Sequence, residues 1–229
     1  MWRALNTRLD RVSLKPRKNA EPRWPVVVAL LGTAALYAAL PSSLLVGGPR
    51  WMVPALVLAV MVPTEITHHR GQHQLNQTLG YVLSSIVTLA MIASLALLID
   101  SLPEHRVPPR ELLRAAGALW FTNIIIFASW YWRLDGGGPH ERALSPGHSD
   151  GAFLFPQMQM DPAAKIAAGE HDWEPNFVDY LFLAFNTSTA LSPTDVPVLS
   201  RWAKLLMMIQ ALISLLVIVL IAARAVNIL

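Results

Sequence analysis

The chain has 229 residues, of which 54% are hydrophobic and 14% charged, with a formal net charge of +3 and no cysteine. A soluble domain carries roughly 25% charged residues, so this composition excludes an ordinary water-soluble globule. The lack of cysteine excludes a disulfide framework and any thiolate metal site.

The apolar residues are clustered. Residues 24–49, 74–99, 115–132 and 205–223 contain no Asp, Glu, Lys, Arg or His, and each run reaches the ~18 residues that read as a membrane helix. A hydrocarbon core of ~30 Å needs about 20 helical residues and offers the backbone no partners, so helices are the default spanning form. The expected fold is all-α: a polytopic transmembrane bundle of about five full spans plus one short helix that either re-enters or crosses.

Residues 1–23 form a basic arm, with Arg3, Arg8, Arg11, Lys15, Arg17, Lys18 and Arg23 against Asp10 and Glu21. Its position before the first span predicts a cytoplasmic N-terminus held near anionic lipid, each basic residue contributing ~1 kcal/mol at the surface. No folded nucleic-acid module accompanies the arm, so no nucleic-acid partner is expected. Nor does it read as a cleaved signal peptide, because no A-x-A site follows.

Residues 24–132 read as a four-helix membrane region. The first span covers about 24–46, closed by Gly47-Gly48-Pro49, with Pro41 as a kink near its far end. The second, about 51–67, carries Pro54 and Pro63 and has just 14 residues before Glu65. The third, about 78–99, places Thr, Ser and Gly where helices can approach closely. After a proline-rich connection, the fourth covers about 112–132 and ends in Trp130-Tyr131-Trp132-Arg133, an aromatic and basic boundary cluster.

Residues 133–175 hold seven acidic residues against three basic ones and read as an acidic surface loop, too short and too polar for an enzyme domain. Its apolar patch Ala152-Phe153-Leu154-Phe155 is expected to dip to the membrane or pack on helix ends.

Residues 176–229 read as a short helix, a polar break and a final span. The apolar stretch 177–191 is interrupted by Asp179, and as a helix it extends only ~22 Å, short for a crossing. The break, Asn186-Thr187-Ser188-Thr189-Ala190-Leu191-Ser192-Pro193-Thr194-Asp195, sets hydroxyl and amide groups in a row. In lipid such groups need protein partners or a water-filled cavity. A re-entrant loop and a plain extramembrane turn both fit. On the first reading Thr187, Thr189, Ser192, Thr194 and Asp195 line an ion or small-solute path.

The C-terminal stretch resembles the pore module of tetrameric pore-loop cation channels, in its short aromatic helix, Thr187-x-Thr189, Asp195-x-Pro197 and inner helix. Aligned on Asp195, the Thr-Val-Gly-Tyr-Gly-Asp signature of the potassium-selective members falls on Ala190-Leu191-Ser192-Pro193-Thr194-Asp195. Both glycines are replaced, and Ser192 and Thr194 do not readily adopt the positive φ that a carbonyl-lined filter needs. Most of the chain is similar to an uncharacterised bacterial family of integral membrane proteins. Trp130-Tyr131-Trp132, Phe155-Pro156, Asp179-Tyr180-Leu181-Phe182-Leu183-Ala184-Phe185, Ser192-Pro193-Thr194-Asp195 and Ser200-Arg201 carry that likeness. It implies several helices in a bacterial inner membrane and supplies no activity. Topology separates the two resemblances: with a cytoplasmic N-terminus and four full spans the 133–175 loop returns to the cytoplasm, whereas pore loops of the channel family enter from outside. If the second span does not cross, the channel orientation is restored.

Glu65, His69 and His73, with His68 beside them, fall at i, i+4 and i+8. On one helix they share a face, with spacing for a divalent metal; the competing reading is a solvated juxtamembrane cluster. Asn123 and Gln210 are expected to hydrogen-bond between helices, each worth about 0.6–2 kcal/mol, and Arg224 to snorkel to the interface. No phosphate loop or nucleophile–base triad occurs, so neither an enzyme nor a cofactor is expected. The readings are a pore-loop-like channel, built as a homo-oligomer in the lipid bilayer, or a non-conducting scaffold that recruits partners through the basic arm and the acidic loop. A membrane enzyme rests on the Glu65/His69/His73 group alone.

Overall fold

The structure is a computed structural model and describes residues 21, 24–45, 48–70, 72–102, 108–144, 151–170, 173–189 and 196–226, without the side chains of 65, 68, 69 and 224–226. Among these residues the regular structure is helical apart from one antiparallel bridge, Phe153 with Val198.

Proline sets several boundaries. Helix α1 (Trp24–Ala38) has Pro25 in its first turn, where the missing N–H is not needed. It stops well before residue 46, because Pro41 is extended (φ −56°, ψ 146°) and a 3-10 turn, Ser42–Leu44, follows. Helix α2 (Met52–His69) continues through Pro63. Helices α3 (His73–Asp100) and α4 (Pro109–Leu134) are longer, and the latter opens on Pro109. Three short helices follow, α5 (Pro139–Leu144), α6 (Pro156–Gln159) and α7 (Pro162–Ala167); then come α8 (Phe177–Thr189) and α9 (Arg201–Val226).

Contacts along these helices fix their directions. Asn76 Nδ2 donates to Thr64 O, so α3 starts where α2 ends. Trp130 Nε1 donates to Thr88 Oγ1 at 3.0 Å, and Arg133 lies against Gly80, so α3 and α4 are antiparallel. Glu21, just ahead of α1, binds Trp132 at the end of α4. One end of the bundle therefore gathers Glu21, the start of α1, the end of α2, the start of α3 and the end of α4. Helix α2 runs between the two ends, so the N-terminal side and the 133–175 segment share one end.

Among the described residues three helices are long and apolar enough to cross a membrane, over His73–Asp100, Pro109–Gly137 and Arg201–Ala223, and Trp24–Ala38 and Met52–Thr64 are shorter apolar helices. Leu205, Met208, Leu212 and Val219 form an exposed stripe along α9. In water such a stripe is a liability, whereas against lipid tails it is the expected surface.

The 133–175 segment is at the surface over much of 156–170, whereas Asp135, Arg142, Phe153 and Phe155 are buried. Gly136, Gly137 and Gly138 take φ of 55°, 77° and 99°, backbone that side chains resist, and turn α5 back beneath the end of α4. Arg142 is thereby buried: its Nη1 donates to Trp132 O and Asp135 O, each at 2.7 Å, and its Nη2 meets Glu21 Oε2 at 3.1 Å. Glu21 also accepts from Trp132 Nε1. Asp135, fully buried, accepts from Ala152 N and from Tyr180 Oη at 2.6 Å. The patch at 152–155 packs on helix ends, with Phe153 edge-on to Tyr131, Tyr180 and Trp202. Net charge does not show that Arg142 is paired out of water with Glu21 and that Asp135 is buried among hydrogen-bond donors.

Removing one member of a buried ion pair strands the other at a cost of about 3–5 kcal/mol. Arg142→Ala is expected to lose stability on that scale in detergent-micelle denaturation, while Lys204→Ala, on an exposed position of α9, leaves the midpoint unchanged.

Candidate functional site

Asp179, which interrupts the apolar run, is what starts α8. Asn176 Oδ1 accepts from Val178 N and Asp179 Oδ2 from Asn176 N, both at 2.8 Å, so the pair forms a reciprocal cap. The helix has 13 residues, about 20 Å at 1.5 Å per residue. Its buried side, Phe177, Tyr180, Leu183, Ala184 and Ser188, faces α4 and α9.

Gln210, fully buried on α9, holds the far end of α8. Its Nε2 donates to Ala184 O at 2.7 Å and Ser188 Oγ at 2.8 Å. Its Oε1 accepts from Tyr131 Oη and its backbone carbonyl from Asn123 Nδ2 at 3.3 Å. One turn further, Ser214 Oγ donates to Ser188 O at 2.6 Å and accepts from Trp120 Nε1 at 2.9 Å. Asn123 and Gln210 thus bridge helices, as their isolation in apolar runs predicts. Sequence reasoning did not single out Tyr131, Ser188 or Ser214 as their partners; Ser214 lies four residues from Gln210, on the same helical face.

These bonds set the depth of α8. It begins beside Asp135 and ends beside Ser214, about midway along α9, so α8 and α9 run in the same direction. The chain is back at the starting end by Val196: Leu154 N donates to Pro197 O at 2.9 Å, Leu199 N to Ala152 O at 2.8 Å, and Phe153 bridges Val198. The segment 177–198 thus enters the bundle and returns to the end it entered from.

Of the sequence candidates, Thr187 and Thr189 are described and half-buried; Ser192, Thr194 and Asp195 lie outside the described residues. Thr187 Oγ1 donates to Leu183 O at 2.8 Å and Thr189 Oγ1 to Asn186 O at 3.0 Å. Two residues apart on a helix, they point about 200° apart and do not share a side. Thr189 falls on the side of exposed Val178, Phe182 and Phe185.

Glu65 and His69 do not lie on one helix with His73. Helix α2 ends at His69 and α3 begins at His73 in a new direction, so the i+8 relation is broken. His73 instead stacks on His140, ring centroids 3.5 Å apart and 8° from parallel. The side chains of Glu65, His68 and His69, like that of Arg224, lie outside the description. Among the described residues no group of three His, Asp or Glu is placed to hold a metal ion.

No protein-family profile, curated protein or solved structure matches the chain.

Gln210→Leu keeps the bulk but leaves Tyr131 Oη and Ser188 Oγ without their partner. It is expected to cost about 2 kcal/mol in thermal unfolding, and a double-mutant cycle with Ser188→Ala is expected to show coupling between the two sites.

Proposed function

We propose that this chain is a multi-pass protein of a bacterial inner membrane with a cytoplasmic N-terminus. Helices α1–α4 and α9 make five crossings, and α8 is a re-entrant half-helix. In a homo-oligomer, the hydroxyl run from Thr187 to Asp195 lines an ion or small-solute path, as the likeness to pore-loop cation channels implies. The observation that carries the reading is the course of the chain around α8: a capped helix that stops at half depth and a return to the same end by Val196. A plain extramembrane turn needs no such depth, and irregular polar backbone in lipid needs protein or water around it. Of the two helical threonines, Thr189 is the better lining residue, because Thr187 turns to the opposite side. Replacement of the filter glycines argues against potassium selectivity.

Purified protein in liposomes is expected to pass a monovalent cation or small solute down its gradient, and Thr189→Trp to reduce that flux at least tenfold with unchanged reconstitution. Absence of flux under every gradient and voltage favours the alternative, a non-conducting scaffold. In that case a partner captured by the whole protein is lost when residues 1–20 are deleted.

A further inference from the structure

We propose that the cleft between α1 and α2, with the polar cavity adjoining it, holds an anionic phospholipid, its phosphate on Arg133 and an acyl chain in the cleft; the site rests on the reading of these helices as membrane spans.

One side chain joins the two spaces. Arg133, in the last turn of α4, lines a polar cavity with His73, Gln77, Gly138 and His140, and it lines a second, apolar cavity with Val26, Leu30, Met61, Leu83 and Trp132. An arginine near a helix end ordinarily snorkels into water, but this one is held back. It is 6% exposed, its guanidinium carbon lies 5.3 Å from the centre of the Trp132 ring, and it lies over Gly80, where a Cβ would come within 1.8 Å of Nη1. The bare backbone at residue 80 therefore lets the cation stand between α3 and α4, on the wall of both cavities. A guanidinium has five N–H donors in a planar fork, so bonds within the protein and a bond to a phosphate oxygen are compatible.

The two spaces differ as the two parts of a lipid differ. On the polar side the rings of His73 and His140 stack, and Gln77 Nε2 donates to Tyr81 Oη at 2.9 Å and to Gly137 O at 3.1 Å, which braces the glycine turn against α3. Imidazole N–H groups and a guanidinium are donors suited to phosphate. Glu141, a carboxylate on the same wall, is exposed, where salt and water screen it. On the apolar side the walls are aliphatic apart from Trp132 and Thr64, whose hydroxyl proton goes to Val60 O at 2.7 Å. The mouth lies between α1 and α2: Val27 and Met61 line the cleft half-buried, and Val28 and Val62 beside them are exposed. Trp24, exposed one turn before Val28, stands where aromatic side chains meet headgroups. A free phosphate needs no apolar cleft, and a zwitterionic headgroup brings its own cation against the guanidinium. A headgroup of net negative charge fits both spaces, and basic pockets between membrane helices are where such headgroups bind.

Native mass spectrometry of the full chain, released from micelles after incubation with phosphatidylglycerol or phosphatidylcholine, tests the site. Phosphatidylglycerol is expected to bind about tenfold more tightly than phosphatidylcholine, the scale of one charge-assisted hydrogen bond. Arg133→Gln is expected to abolish the preference, and Arg50→Gln, at the other end of the bundle, to leave it unchanged. Val27→Trp fills the cleft without changing charge and is expected to weaken phosphatidylglycerol binding about tenfold. Equal binding of the two lipids, or a preference that survives Arg133→Gln, overturns the proposal; equal binding is the result if Glu65, next to Thr64 in sequence, already neutralises Arg133. Should Arg133→Gln not fold, unaltered binding by Val27→Trp overturns it alone. Displacement of the lipid by inorganic phosphate, with Val27→Trp without effect, shows a free-anion site and overturns the lipid. Protein that alkaline carbonate strips from membranes sinks the membrane reading, whereas integral protein without the preference sinks this site only.

Discussion

A helix that stops inside an apolar slab has nowhere to put its last carbonyl groups. Water is absent, and an unsatisfied polar group there costs several kcal/mol. On the re-entrant reading proposed for α8, its polar contacts answer part of that problem. Gln210 and Ser214 of α9 bond Ala184 and Ser188 of α8, the threonine hydroxyls fold back onto Leu183 O and Asn186 O, and Tyr131, Asn123 and Trp120 of α4 saturate the α9 residues in turn. The inner half of α8 is thus determined by three helices, and its depth is set by hydrogen-bond registry more than by its own length.

The other half of α8 is secured by a different device at the polar end of the bundle, where charge is less costly to keep. Arg142 and Asp135 form the centre of that assembly, joined to Glu21, Trp132, Ala152 and Tyr180. Ion pairs withdrawn from water are weak contributors to net stability, because desolvation offsets their attraction, but an arrangement that separates them leaves an uncompensated buried charge. Here the pair ties the N-terminal side, the end of α4, the 133–175 segment and the start of α8 to one another. Gly80 shows how closely the same end is fitted, since a Cβ at that position would fall 1.8 Å from the Arg133 guanidinium.

The helices themselves were legible because they follow from runs without charge, and hydropathy needs no tertiary information. Ends were less so: α1 stops at Ala38, well inside its uncharged run, because Pro41 overrides hydropathy. Asp179 looked like an interruption of a helix and is part of its cap, a role visible in the Asn176/Asp179 spacing. The buried contacts of the acidic segment were not legible, because composition counts charges without regard to their partners. Glu21 and Arg142 are 121 residues apart, and no local pattern links them. The Glu65/His69/His73 spacing assumed one continuous helix, whereas α2 ends at His69 and α3 begins at His73. Of the site, the short helix and its hydroxyl groups were legible, whereas their directions were not, since Thr187 and Thr189 share a strand face but oppose each other on a helix.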